Sequence, residues 1–332
     1  MDKNLQVLLA SRPSGWVDAS NFRLHEVPIA APAEGQVLVA NRWLSLDPYM
    51  RGRMNVAKSY TKYVEIGEVM VGEAVGEVID SRHGGFSRGD IVLNRAGWQS
   101  HWLSDGADLR KVDPRLAPVQ TALGVLGMPG HTAWVGVETI CKPVAGETLV
   151  VDTASGAVGS VVGQLAKRRG ARVVGIAGGA EKCAYVVNEL GFDAAVDHRA
   201  ADFYEQLKNA TPQGIDACFE NVGGEVFDRI LQRVNPFARV ALCGLVSQYN
   251  VTELYGMKNL RSVLVNRVLL QGFIVTDHEA SRASAIQDLA GLIANGSLKY
   301  HETVAEGLEN APRAFIELLQ GQNLGKQLVR IS

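Results

Sequence analysis

Residues 150–170, VVDTASGAVGSVVGQLAKRRG, join an apolar β-branched run to a turn holding Gly156 and Gly159. Behind the turn, Val158, Val161, Val162, Leu165 and Ala166 fall at the spacing of one helical face. This order of strand, glycine turn and helix suits one kind of chemistry. Bare backbone at a helix N-terminus can approach a pyrophosphate, and N–H groups without helical partners can bind it. Ala154, Gly156, Ala157, Val158 and Gly159 are therefore the candidate cofactor-binding residues of the turn. Ala154 fills the first glycine position, so this turn must tolerate a methyl group. Lys167, Arg168 and Arg169 followed by Gly170 suit the negative end and left-handed stop of the helix. The competing reading is a tight strand–helix turn that binds nothing. Five further strand-like segments downstream weigh against it.

The choice of dinucleotide depends on the end of the second strand. Selectivity for NAD needs an Asp or Glu there, to accept from the ribose 2′-hydroxyl. Here the strand runs into Gly178 and Gly179, and Lys182 follows three residues later, where an ammonium can meet a 2′-phosphate. This pattern predicts NADP. The competing reading makes Lys182 a solvated helix residue, paired with Glu181.

The elements that must position these residues occupy a chain of 332 residues, long enough to predict two domains. Residues 1 to about 120 read as short strands broken by Gly, Pro and Asp turns, an antiparallel, barrel-like β domain. From about 145, strands at ETLVVD, ARVVGIA, AAVD, IDACFEN, ARVALCG and LLQGFIV alternate with helices at 157–169, 181–190, 201–210, 225–234 and about 258–266. Such alternation implies a doubly wound parallel sheet. A helix at about 279–294, another helix and a last strand follow. The last segments are expected to return to the first domain.

With 47% apolar and 20% charged residues and a net charge of −2, the chain has no electrostatic reason to bind nucleic acid or an anionic membrane. No apolar run is long enough to span a bilayer, and the N-terminus does not read as a signal peptide, so a cytoplasmic location is expected. Cys141, Cys183, Cys218 and Cys243 have no metal-ligand spacing and read as structural or incidental thiols.

The motifs SLDPYMRGRM, GVLGMPGHTAW, TASGAVGSVVGQLAK, GGAEKC, ENVGG, CGLVSQYN, LQGFIV and NLGKQLV follow one another along nearly the whole chain. In them the sequence resembles the medium-chain dehydrogenase/reductase superfamily, and within it the NADPH-dependent double-bond reductases. That group includes prostaglandin, alkenal and curcumin reductases. The resemblance implies an α/β chain: a GroES-like β-rich catalytic domain at 1–125, completed by about 295–332, and a Rossmann NADP-binding domain at 126–294. It also explains why the nucleotide motif starts so late. Zinc alcohol dehydrogenases share this fold but place a Cys early and a Gly-His-Glu segment after it. Here no Cys precedes residue 141 and VGEAVGEV holds no histidine, so no metal site is expected.

Without a metal, reduction of the C=C bond of an α,β-unsaturated carbonyl needs a hydrogen-bond donor for the enolate oxygen and a weak acid for the α-carbon. Tyr249 in SQYN is the best donor candidate: by resemblance it corresponds to the family tyrosine beside the nicotinamide, and a phenol stays protonated at neutral pH. The other reading is a half-buried tyrosine in the loop after the fifth strand. Tyr49 in DPYMR lines the pocket, as a second catalytic candidate or a core aromatic, and Tyr60 reads as a pocket-wall or surface residue. The resemblance also assigns Asn323, accompanied by Lys326, to the nicotinamide end of the cofactor; the other reading of Asn323 is a turn former. Thr132, Phe273 and Val275 flank the nicotinamide, and Cys243 and Gly244 leave the fifth strand close to the cofactor. Asn221 stands in the crevice at a strand end, after Glu220, where relatives often carry Asp. His198 takes the place of a tyrosine that relatives stack near the 2′-phosphate, and Arg199 can add a second contact. His101, His131 and His278 read as structural or surface residues. The expected partner is a small enal or enone, and the family implies a homodimer. Quinone reduction and a non-catalytic NADPH-binding role are the competing functions.

Overall fold

The structure, a computed structural model, describes residues 3–331. The chain divides into two compact units, Met1–Gly124 with Glu302–Ser332, and Val125–His301. The first begins with β1 (Lys3–Leu9), β2 (Phe22–Pro28), β3 (Val37–Ser45), the short helix α1 (Tyr49–Arg53), β4 (Ala74–Ser81), β5 (Ile91–Asn94), β6 (His101–Ser104) and β7 (Arg110–Lys111). The second runs α2 (Met128–Val135), β8 (Thr148–Val151), α3 (Gly159–Arg168), β9 (Arg172–Ala177), α4 (Ala180–Asn188), β10 (Ala194–Asp197), α5 (Phe203–Ala210), β11 (Ile215–Glu220), α6 (Gly224–Leu231), β12 (Val234–Leu242), α7 (Arg261–Val265), β13 (Leu269–Gly272) and α8 (Arg282–Ala294). The chain then returns to the first unit with β14 (Glu302–Glu306), α9 (Ala311–Leu319) and β15 (Lys326–Arg330).

In the second unit six parallel strands lie in the order β10-β9-β8-β11-β12-β13. The order reverses direction beside β8, and this reversal opens the crevice in which such sheets bind ligands. The inner strands are apolar throughout because they are covered on both faces. All four residues of β8 are buried, as are five of the six in β9. Val161, Val162, Leu165 and Ala166 form the buried face of α3, at 0–1% exposure.

The first unit is a seven-stranded sheet ordered β14-β15-β3-β4-β5-β7, with β6 on β3, beside the two-stranded β1–β2. It is not wholly antiparallel, because β14 and β15 run parallel to each other. Its core centres on the fully buried Trp98, stacked on Phe22 at 5.5 Å and met edge-on at 5.4 Å by Phe315 of α9. The returning segment is thus part of that core. The return begins at Glu302 rather than about 295. Residues 295–301 stay with the second unit, because Lys299 exchanges two 2.8 Å bonds with the side chain of Gln164 on α3.

Candidate nucleotide and substrate site

Past β8 the backbone turns through Thr153, whose φ of 43° is left-handed. Ala154 N then donates to Ile176 O at 3.0 Å and Gly156 N to Thr153 O at 2.7 Å, which ties the turn to β9 and to itself. A Cβ on Gly159 would stand 2.4 Å from Thr153 O, so only glycine lets the helix begin this close to the strand. The methyl of Ala154 is accommodated by a glycine elsewhere. A Cβ on Gly175 of β9 would lie 2.7 Å from Ala154 Cβ, so the space normally left free in the turn is left free in the strand instead. No side chain caps α3, and its N-terminus, with Ala157 and Val158 before it, can take an anion.

At the end of β9 the floor is bare backbone. A Cβ on Gly178 would be 2.9 Å from both Arg199 Nε and His198 Nε2. Lys182, on the first turn of α4, is the third basic residue. Burial, then Arg199, lowers its pKa. His198 is an exposed residue overall, but its ring is driven below the usual histidine range, first by lost hydration and then by Arg199, with Lys182 adding to the effect. Each of these two groups is perturbed by its cationic neighbours. That is the arrangement of a site built to be neutralised by an anion. Asp197, which sequence reasoning missed, organises it: Oδ1 accepts from Gly179 N and Arg199 N, both at 2.9 Å, and so ties the two turns together.

A second missed residue is Asp152, fully buried just past β8. Asn221 points both its N–H and its side-chain amide at Asp152 Oδ1, at 2.8 and 3.0 Å. In this structure Asn221 therefore serves the protein's own carboxylate. An acid after a strand looks like an ordinary turn residue. Only the pairing of β8 with β11 brings residue 152 beside residue 220.

Tyr249 lies at the end of a 3₁₀ turn, Val246–Gln248. A Cβ on Gly244 would be 3.5 Å from its hydroxyl, an ordinary contact, which places the phenol against the exit of β12. The chain after it is gathered by the buried Asp228 of α6, which accepts from the Tyr255 hydroxyl, Lys258 N, Asn259 N and Asn259 Nδ2 at 2.8–3.1 Å. Cys243 N donates to Glu220 O at 2.9 Å, and burial pushes its thiol up to about 12, so the sulfur stays protonated. Phe273 and Val275 are buried, and Phe273 packs edge-on against Phe219 at 6.1 Å. Thr132 is also buried, and its hydroxyl donates back to Met128 O at 2.8 Å. His131 is a core residue whose Nε2 lies 2.9 Å from Ser281 Oγ. Ser281 spends its own proton on His278 O, which makes Nε2 the donor.

Tyr49, Asn323 and Lys326 belong to the first unit. Tyr49 opens α1, and burial together with the nearby Asp47 and Glu73 carboxylates pushes its phenol well above the usual range, which keeps it a donor. Lys326 is buried and fully engaged: Nζ donates to Leu46 O at 2.6 Å and to Asp47 Oδ1 and Gln327 O at 3.0 Å. It crosslinks β15 to the exit of β3. Asn323 Nδ2 donates to Gly325 O at 2.9 Å and so shapes the turn before β15. Tyr60 is 63% exposed. Among the described residues, no group of three or more His, Cys, Asp or Glu side chains converges as metal ligands would.

A reversing parallel sheet, a glycine turn at its switch point and a basic cluster of Lys182, Arg199 and His198 at the next strand end define a dinucleotide-binding class of protein. Residues 5–112 match the family model described as N-terminal domain of oxidoreductase, and residues 157–291 the one described as zinc-binding dehydrogenase. The chain is 48% identical to the NADPH-dependent curcumin reductase of Escherichia coli, over 99% of this chain and 97% of that protein. It is 37% identical to the NADP(+)-dependent 2-alkenal reductase of Nicotiana tabacum, over 99% and 98%. The crystal structure of CurA from Vibrio vulnificus in complex with NADPH superposes with a TM-score of 0.95 at 47% identity, covering 99% of both chains. The chain belongs to the medium-chain dehydrogenase/reductase superfamily, in its double-bond reductase group.

Proposed function

We propose that the protein is an NADPH-dependent reductase of the C=C bond of α,β-unsaturated aldehydes and ketones. The observation that carries the cofactor choice is the convergence of Arg199 and His198 on Gly178, with Lys182 electrostatically coupled to both. These three would hold the 2′-phosphate, and the turn from Ala154 to Gly159 would hold the pyrophosphate. NADPH, when bound, supplies the hydride that goes to the substrate β-carbon.

The chain's own residues deal with the charge that results. Negative charge collects on the carbonyl oxygen, where the Tyr249 hydroxyl donates a hydrogen bond; a well-placed donor of this kind is worth roughly 3–4 kcal/mol. Tyr49, held protonated, is the second donor candidate and can orient the substrate. A proton then goes to the α-carbon, from one of the two phenols, replaced from solvent, or from solvent itself, and completes the reduction. Tyr249 and the residues proposed to hold the cofactor belong to the Val125–His301 unit, apart from Asn323, and Tyr49 to the other.

A homodimer is supported by β13. It is the edge of the parallel sheet and all four of its residues are exposed, Leu269 at 51% and Leu270 at 36%. An open apolar edge is a template for a second strand, and a copy of the chain would cover it. A cytoplasmic location is supported by four cysteines without disulfides. No helix among the described residues is long and apolar enough to cross a membrane.

Steady-state oxidation of NADPH and NADH with a panel of enals, enones and quinones tests the reading. Turnover of enals and enones with NADPH, far above that with NADH, is expected. Turnover of quinones alone would refute it.

A further inference from the structure

Asp152 stands just past β8, and Glu220 closes β11, the neighbouring strand. Both are 0% exposed. Two carboxylates cannot both be ionised in such a place without compensating cations. The titratable groups facing the pair are thiols: Cys218 of β11, Cys243 past β12, and Cys141 beyond Cys218. All three are pushed up by burial and stay neutral.

The hydrogen bonds say where the proton sits. Asp152 accepts on both oxygens: Asn221 N and Nδ2 reach Oδ1, and Val222 N reaches Oδ2 at 3.1 Å. Glu220 accepts on Oε1 alone, from Val222 N at 2.8 Å and Gly223 N at 2.5 Å. No N–H or hydroxyl among the described residues is directed at Glu220 Oε2. One N–H, that of Val222, reaches both side chains, Glu220 Oε1 at 2.8 Å and Asp152 Oδ2 at 3.1 Å, which holds the two carboxyl groups side by side. An oxygen that receives no donor, beside a carboxylate that receives several, is the one that carries a hydrogen.

We propose that Glu220 is a neutral carboxylic acid donating from Oε2 to ionised Asp152, and that the pair is a positioning unit for the segment bearing Tyr249. The route is continuous. The pair fixes the N–H groups of residues 221–223, ahead of Gly223 and Gly224, whose φ values of 70° and 60° leave the loop little intrinsic stiffness. The same loop offers its carbonyls to the Tyr249 segment: Glu220 O accepts from Cys243 N and Gly244 N, Asn221 O from Val246 N, and Val222 O from Ser247 N, at 2.9–3.2 Å. The catalytic consequence rests on the reading of Tyr249 as the donor; the proton count does not.

Isotope-edited infrared spectroscopy of the full-length protein reads the proton directly. A protonated-carboxyl band should persist at about pH 8 and vanish in Glu220→Gln; no such band at neutral pH overturns the shared proton. Thermal unfolding gives a second readout. The native pair binds more protons than the unfolded chain above the ordinary carboxylate range, so stability falls as pH rises through that window. Glu220→Gln should flatten this slope, and an unchanged slope counts against the pair. In turnover of 2-hexenal, Glu220→Ala should lower kcat about tenfold, Glu220→Gln should recover most of it, and in a Tyr249→Phe background Glu220→Ala should add little. A loss that Gln does not recover, or one that is fully additive, refutes the positioning role. Wild-type turnover in Tyr249→Phe would instead sink the donor reading, leaving the band and the slope to decide the pair.

Discussion

At the level of single residues, the basic cluster makes cofactor binding depend on pH in a stated direction. His198 starts below the usual histidine range because burial and Arg199 disfavour its charge. With the 2′-phosphate held beside His198 as proposed, its negative charge would favour the charged ring, so NADPH binding would take up a proton. Above about pH 6.5, where the phosphate is already dianionic, NADPH affinity should therefore weaken as pH rises, while NADH affinity stays flat and His198→Asn removes the slope. Calorimetric titration at several pH values checks this. Lys182→Ala should raise the NADPH KM about tenfold or more and leave NADH nearly untouched, since a charge-assisted bond is worth roughly 1.5–3 kcal/mol; equal effects on both would remove Lys182 from the site. For Tyr249, the contact strengthens as the enolate forms, so Tyr249→Phe should lower kcat by about 10- to 100-fold with little change in NADPH affinity. Near wild-type kcat there, with Tyr49→Phe strongly impaired, would hand the donor role to Tyr49. That Gly178, Lys182, His198 and Arg199 lie together was legible, because each is a local departure at a strand end; their role toward the cofactor is the proposal made above. Asp152 and Asp197 were not, since each acts on residues brought close by sheet order.

At the level of elements, the parallel strands were legible as continuous apolar runs, because covering both faces removes the need for alternation. The helix α2 and the π-helical turns after it, Gly136–Cys141, escaped notice for the same reason. Six of the eight α2 residues are buried, so no polar face marks a helical period. The strand β14, ETVAE, is only partly buried and gives no apolar run at all. The nucleotide turn shows two elements adjusting to each other, and this adjustment can be measured. Gly175→Ala should place a methyl 2.7 Å from Ala154 Cβ and 2.8 Å from Val186 Cγ1. Overpacking of this kind costs about 1–3 kcal/mol, and adding Ala154→Gly should return part of the lost thermal stability. A Gly175→Ala protein as stable as the parent would show that the turn has slack.

At the level of the whole molecule, the exposed edge of β13 carries the expectation of self-association. Leu270→Lys puts a charge on that edge and should convert a dimer into monomers by light scattering. If the parent protein is already monomeric at micromolar concentration, the edge has another explanation. The division of the chain carries a different consequence, for how the protein is made. The Val125–His301 unit is one continuous stretch, whereas the other unit is built from both ends of the chain. Its sheet places β15 between β14 and β3, and the buried Lys326 is locked onto Asp47 across that seam. During synthesis the nucleotide-binding unit can therefore close while its tail is still being added. The opening 124 residues, although first to emerge, must wait for the very last strand before their sheet is whole. A ribosome that stalls near the end leaves a protein with a finished cofactor unit and an open, strand-edged pocket unit. Such a chain is what chaperones and proteases are placed to recognise.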